Sequence, residues 1–395
     1  MNYQNYESVA HATRLYQAGM ERELKQFYAQ VSEKLSTEVE GTDSLMPWLR
    51  QLSLQALPED SASLPASVYA RSEGWLSYFC GNYVQAYEGF LRSISDEQWQ
   101  SLAYDSALGL AKVYTRSGHW QSAKAWTLYY LSCARKRRDD FGLVKGYGAL
   151  AEIFLRADHP QHALACFNIA NQMMPSGQGQ LDKQYNFIAS ALIRNGEYLR
   201  AETLLRNSMK LSKDKLARDE TDVWAKVGYL HSCSRLCYLQ LAASKPIQLS
   251  AEAHIWIEQV PIQGAKVPVG FIHTALAIQA IRSNQLSLAL PRLYQALELF
   301  ANVAPIEQQW VTMMIGQVQA VIATNDSGQE VDAPMTVLPS CQILLDIVPI
   351  AAPSIAITVD QIWEQVVVTN EGYQPLVTPQ QTLQELMSYW RLFFI

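Results

Sequence analysis

His159 and His162 stand on either side of Pro160. Two imidazoles at that spacing suit a divalent metal, which needs further thiolate or carboxylate ligands to close its coordination shell. None stands at a ligand spacing, so a solvated turn is the preferred reading of the pair. Cys233 and Cys237 lie one helical turn apart beside His231, an arrangement open to a thiol site or to core packing, since free cysteine commonly behaves as a small buried hydrophobe. Arg135, Lys136, Arg137 and Arg138 precede Asp139 and Asp140. That run suits a phosphate or acidic peptide, or simply places cations at a helix C-terminus. Arg116, Arg156, Arg194 and Arg282 each sit two residues before a turn-forming residue. Gly-rich phosphate loops, Gly-x-Ser-x-Gly elbows, HExxH and paired CxxC motifs are absent from the sequence, so no catalytic residue, metal ligand or cofactor site is assigned.

The elements that position these residues emerge from self-similarity, which is sought first because a repeat determines the whole fold. ALGLAKVYTRSGHWQSAKAWTLYYL aligns with YGALAEIFLRADHPQHALACFNIA, and the same frame fits segments starting at Phe187 and His273, with a looser copy from Gly74. Small residues recur at Gly74, Ala111, Ala151, Ala189 and Ala277, and twelve positions later at Ala86, Ala123, Ala163, Ala201 and Ala289. Such residues let two helices approach closely. Between them stand Gly81, Gly118, Asp158, Gly196 and Asn284, types that tolerate the left-handed conformation ending a helix. Four residues after each second small position come Phe90, Thr127, Phe167, Leu205 and Leu293. Apart from Thr127, whose neighbour Trp126 can substitute, these are large apolar groups suited to the groove between successive pairs. The second-helix alanines are 37, 40 and 38 residues apart, then 88. The long gap has room for one more pair, Thr221 to Ala243 with Leu249 to Val260.

This pattern resembles the tetratricopeptide repeat family over Val68 to Thr324. The copy with Tyr147, Leu150, Ala151, Phe154, Ala163, Phe167, Ala170 and Pro175 matches the family positions best, and the long period resembles the variants found in bacterial regulators and adaptors. The resemblance implies a mainly α fold, a right-handed α-solenoid of tetratricopeptide-like helix pairs whose first helices line a concave groove. It implies a partner-binding groove that includes Arg116, Arg156, Arg194 and Arg282 with Lys112, Lys145, Glu152, Lys183, Asn186 and Ser190. Arginine there would grip carboxylates with paired hydrogen bonds; alternatively each arginine interacts with the exposed carbonyls at its own helix end. The Lys and Asn clamp of chaperone-binding members has no counterpart, because the corresponding positions hold Trp75, Lys112 and Glu152.

Three domains are expected: an N-terminal helical cap over 1–66, the solenoid over 67–324 and a small strand-plus-helix region over 325–395. The cap covers an apolar terminal face. Pro305 to Thr324 reads as an amphipathic helix closing the array. The runs CQILLDIVPI, PSIAITV and QIWEQVVVTN are β-branched and read as strands. Thr378, Pro379 and Gln381 begin a last helix, whose Leu383, Leu386, Met387, Trp390, Phe393 and Phe394 share one apolar face. Trp390, Phe393 and Phe394 mark it as a docking element, for the final helix pair or for a second subunit.

With 49% hydrophobic residues, 17% charged residues and a formal charge of −6, the chain is expected to fold and has no general attraction for nucleic acid or anionic lipid. The N-terminal residues lack the basic-then-apolar pattern of a signal peptide, and no apolar run is long enough to span a bilayer. The expectation is a cytoplasmic, non-catalytic scaffold or adaptor that binds a protein or peptide segment, without a cofactor. A ligand-responsive regulatory sensor is the alternative.

Overall fold

The structure is a computed structural model. It describes residues 66–79, 82–95, 100–173, 181–218, 220, 223–259, 263–301, 303–328, 347–353 and 383–388. The helices expected over the N-terminal cap lie outside these residues, as do the aromatic positions Trp390, Phe393 and Phe394.

The described chain is mainly helical. In order, the helices are α1 Ala66–Phe79, α2 Tyr83–Ile94, α3 Gln100–Arg116, α4 Trp120–Lys136, α5 Asp140–Arg156, α6 Pro160–Met173 and α7 Leu181–Arg194. They continue as α8 Tyr198–Leu216, α9 Val223–Ala242, α10 Ala251–Gln259, α11 Gln263–Arg282, α12 Leu286–Phe300, α13 Pro305–Ser327 and α14 Leu383–Ser388. Each of α1 to α9 packs against the next in sequence, α9 bridges to α11, and further contacts link α1 with α3, α3 with α5 and α7 with α9.

The turns form where the sequence permits a left-handed residue. Gly118, Asp158, Gly196 and Asn284 all have positive φ. At each, the amide of the next residue donates to a carbonyl five positions back: His119 to Tyr114, His159 to Phe154, Glu197 to Leu192 and Gln285 to Ala280. This closing bond satisfies carbonyls that the helix end would otherwise orphan. Ser244 makes the same turn after α9, with Lys245 donating to Gln240.

Small residues then bring the helices together. Ala86, Ala123, Ala163, Ala201 and Ala289 are fully buried, and so are Ala151, Ala189 and Ala277. Gly74 belongs to this series for a visible reason, since a Cβ there would lie 2.7 Å from Cδ1 of Phe90. The same ring faces Gly109 on α3, where a Cβ would lie 2.4 Å from Cζ. Phe90 therefore wedges between α1 and α3, and Phe300 presses against Gly270 in the same manner. One continuous core runs from Tyr83 to Leu386, with a smaller cluster around Leu150, Phe154 and Phe167.

Two features depart from the sequence expectation. Helix α13 is not amphipathic: Pro305, Ile306, Glu307, Gln309, Trp310, Val311, Met313, Met314, Ile315 and Gly316 are all buried. It is enclosed because α12 packs along it, α14 covers Trp310, and the ends of α3 and α5 reach Glu307. No strand occurs among the described residues. Of the β-branched runs, only residues within 347–353 are described, where they form an irregular segment with no strand partner among the described residues, and the remainder lies outside the described residues. Leu386 of α14 is fully buried, and its carbonyl accepts a 2.9 Å hydrogen bond from the Trp310 indole.

Candidate functional site

Helices α2, α3 and α4 present three ring donors and acceptors to one extended stretch of chain. Tyr87 lies one residue after the buried Ala86, Tyr114 lies two residues before the end of α3, and Trp126 lies three residues after the buried Ala123. Helix packing through the small residues places these rings side by side, with Tyr87 and Tyr114 edge to face and centroids 5.9 Å apart. Residues 347–353 cross this surface. The Tyr87 hydroxyl donates to the Val348 carbonyl at 2.8 Å, the Trp126 indole donates to the Ile350 carbonyl at 3.1 Å, and the Ile350 amide donates to the Tyr114 hydroxyl at 2.9 Å. All three bonds engage main-chain atoms of the segment. Of its side chains, Ile347 is buried, while Val348 is 76% exposed. Burial raises the Tyr114 phenol above its ordinary range, so the ring stays a neutral hydroxyl.

A second cluster joins the ends of α3 and α5 to the start of α13. Glu152 accepts Lys112 at 3.4 Å, Arg156 at 3.6 Å and Arg116 at 3.9 Å; Glu307 accepts Arg116 at 3.5 Å and Arg156 at 3.9 Å. Three cations thus surround two carboxylates, at distances of charge pairing rather than of tight bidentate forks. The Arg156 and Glu307 side chains are only 5% and 4% exposed. Burial opposes ionisation of Glu152, but Lys112, Arg116 and Arg156 outweigh it and hold its carboxyl at about 2. Burial also opposes the charge on Lys112, and Glu152 again reverses the sign, leaving the ammonium above its usual value. For Arg156, burial and then Arg116 prevail, and its value falls. The Tyr83 hydroxyl of α2 sits beside this cluster and reaches the Val303 carbonyl at 3.3 Å.

Of the residues expected on a groove, Lys112, Arg116, Glu152 and Arg156 therefore meet in one cluster. Asn186 is buried and donates to Ser208 of α8. Arg194 approaches Asp158 in the turn after α5 at 4.0 Å. Arg282 donates to the Leu241 carbonyl near the end of α9 at 2.9 Å, so it caps a neighbouring helix rather than its own. Lys145 is half-buried on α5, and the Lys183 side chain lies outside the described residues. His159 and His162 sit edge to face at 5.7 Å. Cys233 and Cys237 are buried in α9, where burial pushes the Cys237 thiol up to about 12.

Sequence reasoning missed Glu307, Tyr87, Tyr114 and Arg235. Arg235 is buried, donates from Nε to Ser190 Oγ at 3.1 Å and lies over the Phe187 ring at 5.6 Å; burial brings its guanidinium down to about 10. Arg235 did leave a signal, as the one charge between Lys226 and Lys245, whereas Glu307 stands beside Gln308 and Gln309 and left none. The tyrosines left none, because they occupy positions that any core aromatic would fill. Comparison with protein-family models, with curated proteins and with solved structures returned no match.

Proposed function

We propose that the chain is a non-catalytic scaffold or adaptor, a right-handed α-solenoid of tetratricopeptide-like pairs that captures an extended segment of another polypeptide in the cytoplasm. The observation that supports this reading is the seating of residues 347–353 on α2, α3 and α4 through main-chain hydrogen bonds. A surface that grips the backbone of one extended segment has the chemistry to grip another, as repeat arrays do along their extended faces. The repeated small residues and left-handed turns support the solenoid part of the proposal. Panning short random peptides against the full chain, followed by calorimetry of the selected peptides in solution, tests it. Selected peptides that share an extended pattern and bind stoichiometrically support the reading, and a selection that yields no solution binder contradicts it.

The Glu307 cluster favours a second reading, a sensor whose shape changes with ligand. The cluster ties α13 to helices far earlier in the chain, so a ligand that separates them changes the molecular envelope. Its hydrodynamic radius then increases on ligand addition, whereas a passive scaffold keeps its size.

A further inference from the structure

We infer that Tyr87, Tyr114 and Trp126 form a binding site for uncharged, proline-spaced extended segments of a partner protein, and that residues 347–353 are its resident competitor, which such a partner must displace. This rests on the polypeptide-binding reading above and specifies its site, its ligand class and its regulation.

The hydrogen bonds define what fits. The site takes a carbonyl at one residue, makes no bond at the next, and takes both the N–H and the carbonyl at the one after. The unbonded residue is Pro349. Proline has no amide hydrogen to leave unsatisfied there, and its fixed φ holds the chain extended before it binds. Proline is excluded at the position of Ile350, because its N–H is used. The segment IVPIAAP carries no charge, and the ring groups that meet it are neutral. A partner segment of aliphatic residue, proline, aliphatic residue therefore satisfies every group that the resident segment satisfies.

The resident is held in a way that permits exchange. Among the described residues it is held by three hydrogen bonds, the burial of Ile347 and the packing of Ala352 on the core, while Val348 and Ile350 are exposed. A hydrogen bond of this kind contributes a net ~0.5–1.5 kcal/mol. Attachment to the same chain supplies the rest, since a tethered segment competes at an effective concentration on the order of millimolar. An untethered segment of equal intrinsic affinity must overcome that advantage.

The test uses the full chain and a fluorescent peptide of residues 345–355, with binding read by anisotropy. Ile350→Pro removes the amide that the resident gives to Tyr114 and leaves the site itself intact; Ile347→Asp unseats the resident by a separate route should the first variant fold poorly. Either loosened chain should bind the peptide about fivefold or more tightly than the unmodified chain, from the loss of about one hydrogen bond in the competitor. Adding Tyr87→Phe and Tyr114→Phe to the loosened chain should abolish the gain. No gain in either loosened chain, or a gain that survives the tyrosine changes, overturns the inference. Library-selected peptides that bind the unmodified chain equally well with and without Tyr87 and Tyr114 also overturn it, while leaving the scaffold reading in place. A concentration-dependent dimer that disappears in Ile350→Pro would assign the segment to a second copy and overturn the resident-competitor role.

Discussion

Glu307 lies 3.5 Å from Arg116 although 191 residues of chain separate them. This pairing fixes the start of α13 against the ends of α3 and α5, and it explains how a carboxylate comes to be buried in the first turn of that helix. A buried ion pair earns little over apolar packing, but removing one member leaves an uncompensated charge.

Glu307→Gln should accordingly destabilise the chain by about 2–4 kcal/mol, because Arg156 stays buried with Glu152 as its remaining carboxylate. Urea unfolding measures this. A loss below about 1 kcal/mol would show that the cluster is solvated rather than structural.

Glu152 contributes a specific acid sensitivity. Its folded value of about 2 lies below the ordinary 4.5, so its contribution is fully present above pH 4.5 and is lost as pH falls toward 2. The expected loss is on the order of 3 kcal/mol at 1.36 kcal/mol per unit. Comparing the pH dependence of unfolding in Glu152→Gln isolates it, and the variant should show a flatter acid limb.

His273 titrates in a higher window. Burial, then Arg292, lowers it from 6.5 to about 4, consistent with Arg292 donating to its Nδ1 at 3.3 Å. The unfolded chain binds the extra proton first, so this contribution is complete above pH 6.5 and falls away between pH 6.5 and 4. Proton NMR should find the His273 ring neutral at pH 5.5, and an imidazolium signal at that pH would contradict the assignment.

Gly74→Ala tests the close approach of α1 and α2. The added Cβ would lie 2.7 Å from a Phe90 ring carbon that cannot retreat, since Gly109 flanks its other side. Overpacking of this kind costs about 1–3 kcal/mol. In a Phe90→Leu background the penalty should shrink, and strict additivity in a thermal double-mutant cycle would deny the contact.

Local features were legible in the sequence, and closures over long separations were not. Gly118, Asp158, Gly196 and Asn284 could be identified as left-handed turn residues because the constraint is carried by the residue itself. The alanines could be placed between helices because spacing and size suffice to specify the contact. Glu307, by contrast, meets Arg116 and Arg156 across helices far apart in the chain, a contact that no single segment encodes. The same holds for Tyr87 and Trp126, whose partners lie 261 and 224 residues away. Helix α13 was misread for this reason as well. The amphipathic reading took Pro305 to Thr324 by itself, whereas Glu307 meets the ends of α3 and α5 and Gln309 is buried beside it.

The rings of α2, α3 and α4 hold the main chain of residues 347–353, and amide hydrogen exchange at Ile350 reads that hold at the bonded atom itself. The account predicts that this amide, outside any helix and in an exposed segment, exchanges at least about tenfold more slowly than an unstructured peptide, as one hydrogen bond and its ordering require. It also predicts that Tyr114→Phe removes the protection while the helices keep theirs. Exchange at the unstructured rate in the unmodified chain, or protection untouched by Tyr114→Phe, would contradict it.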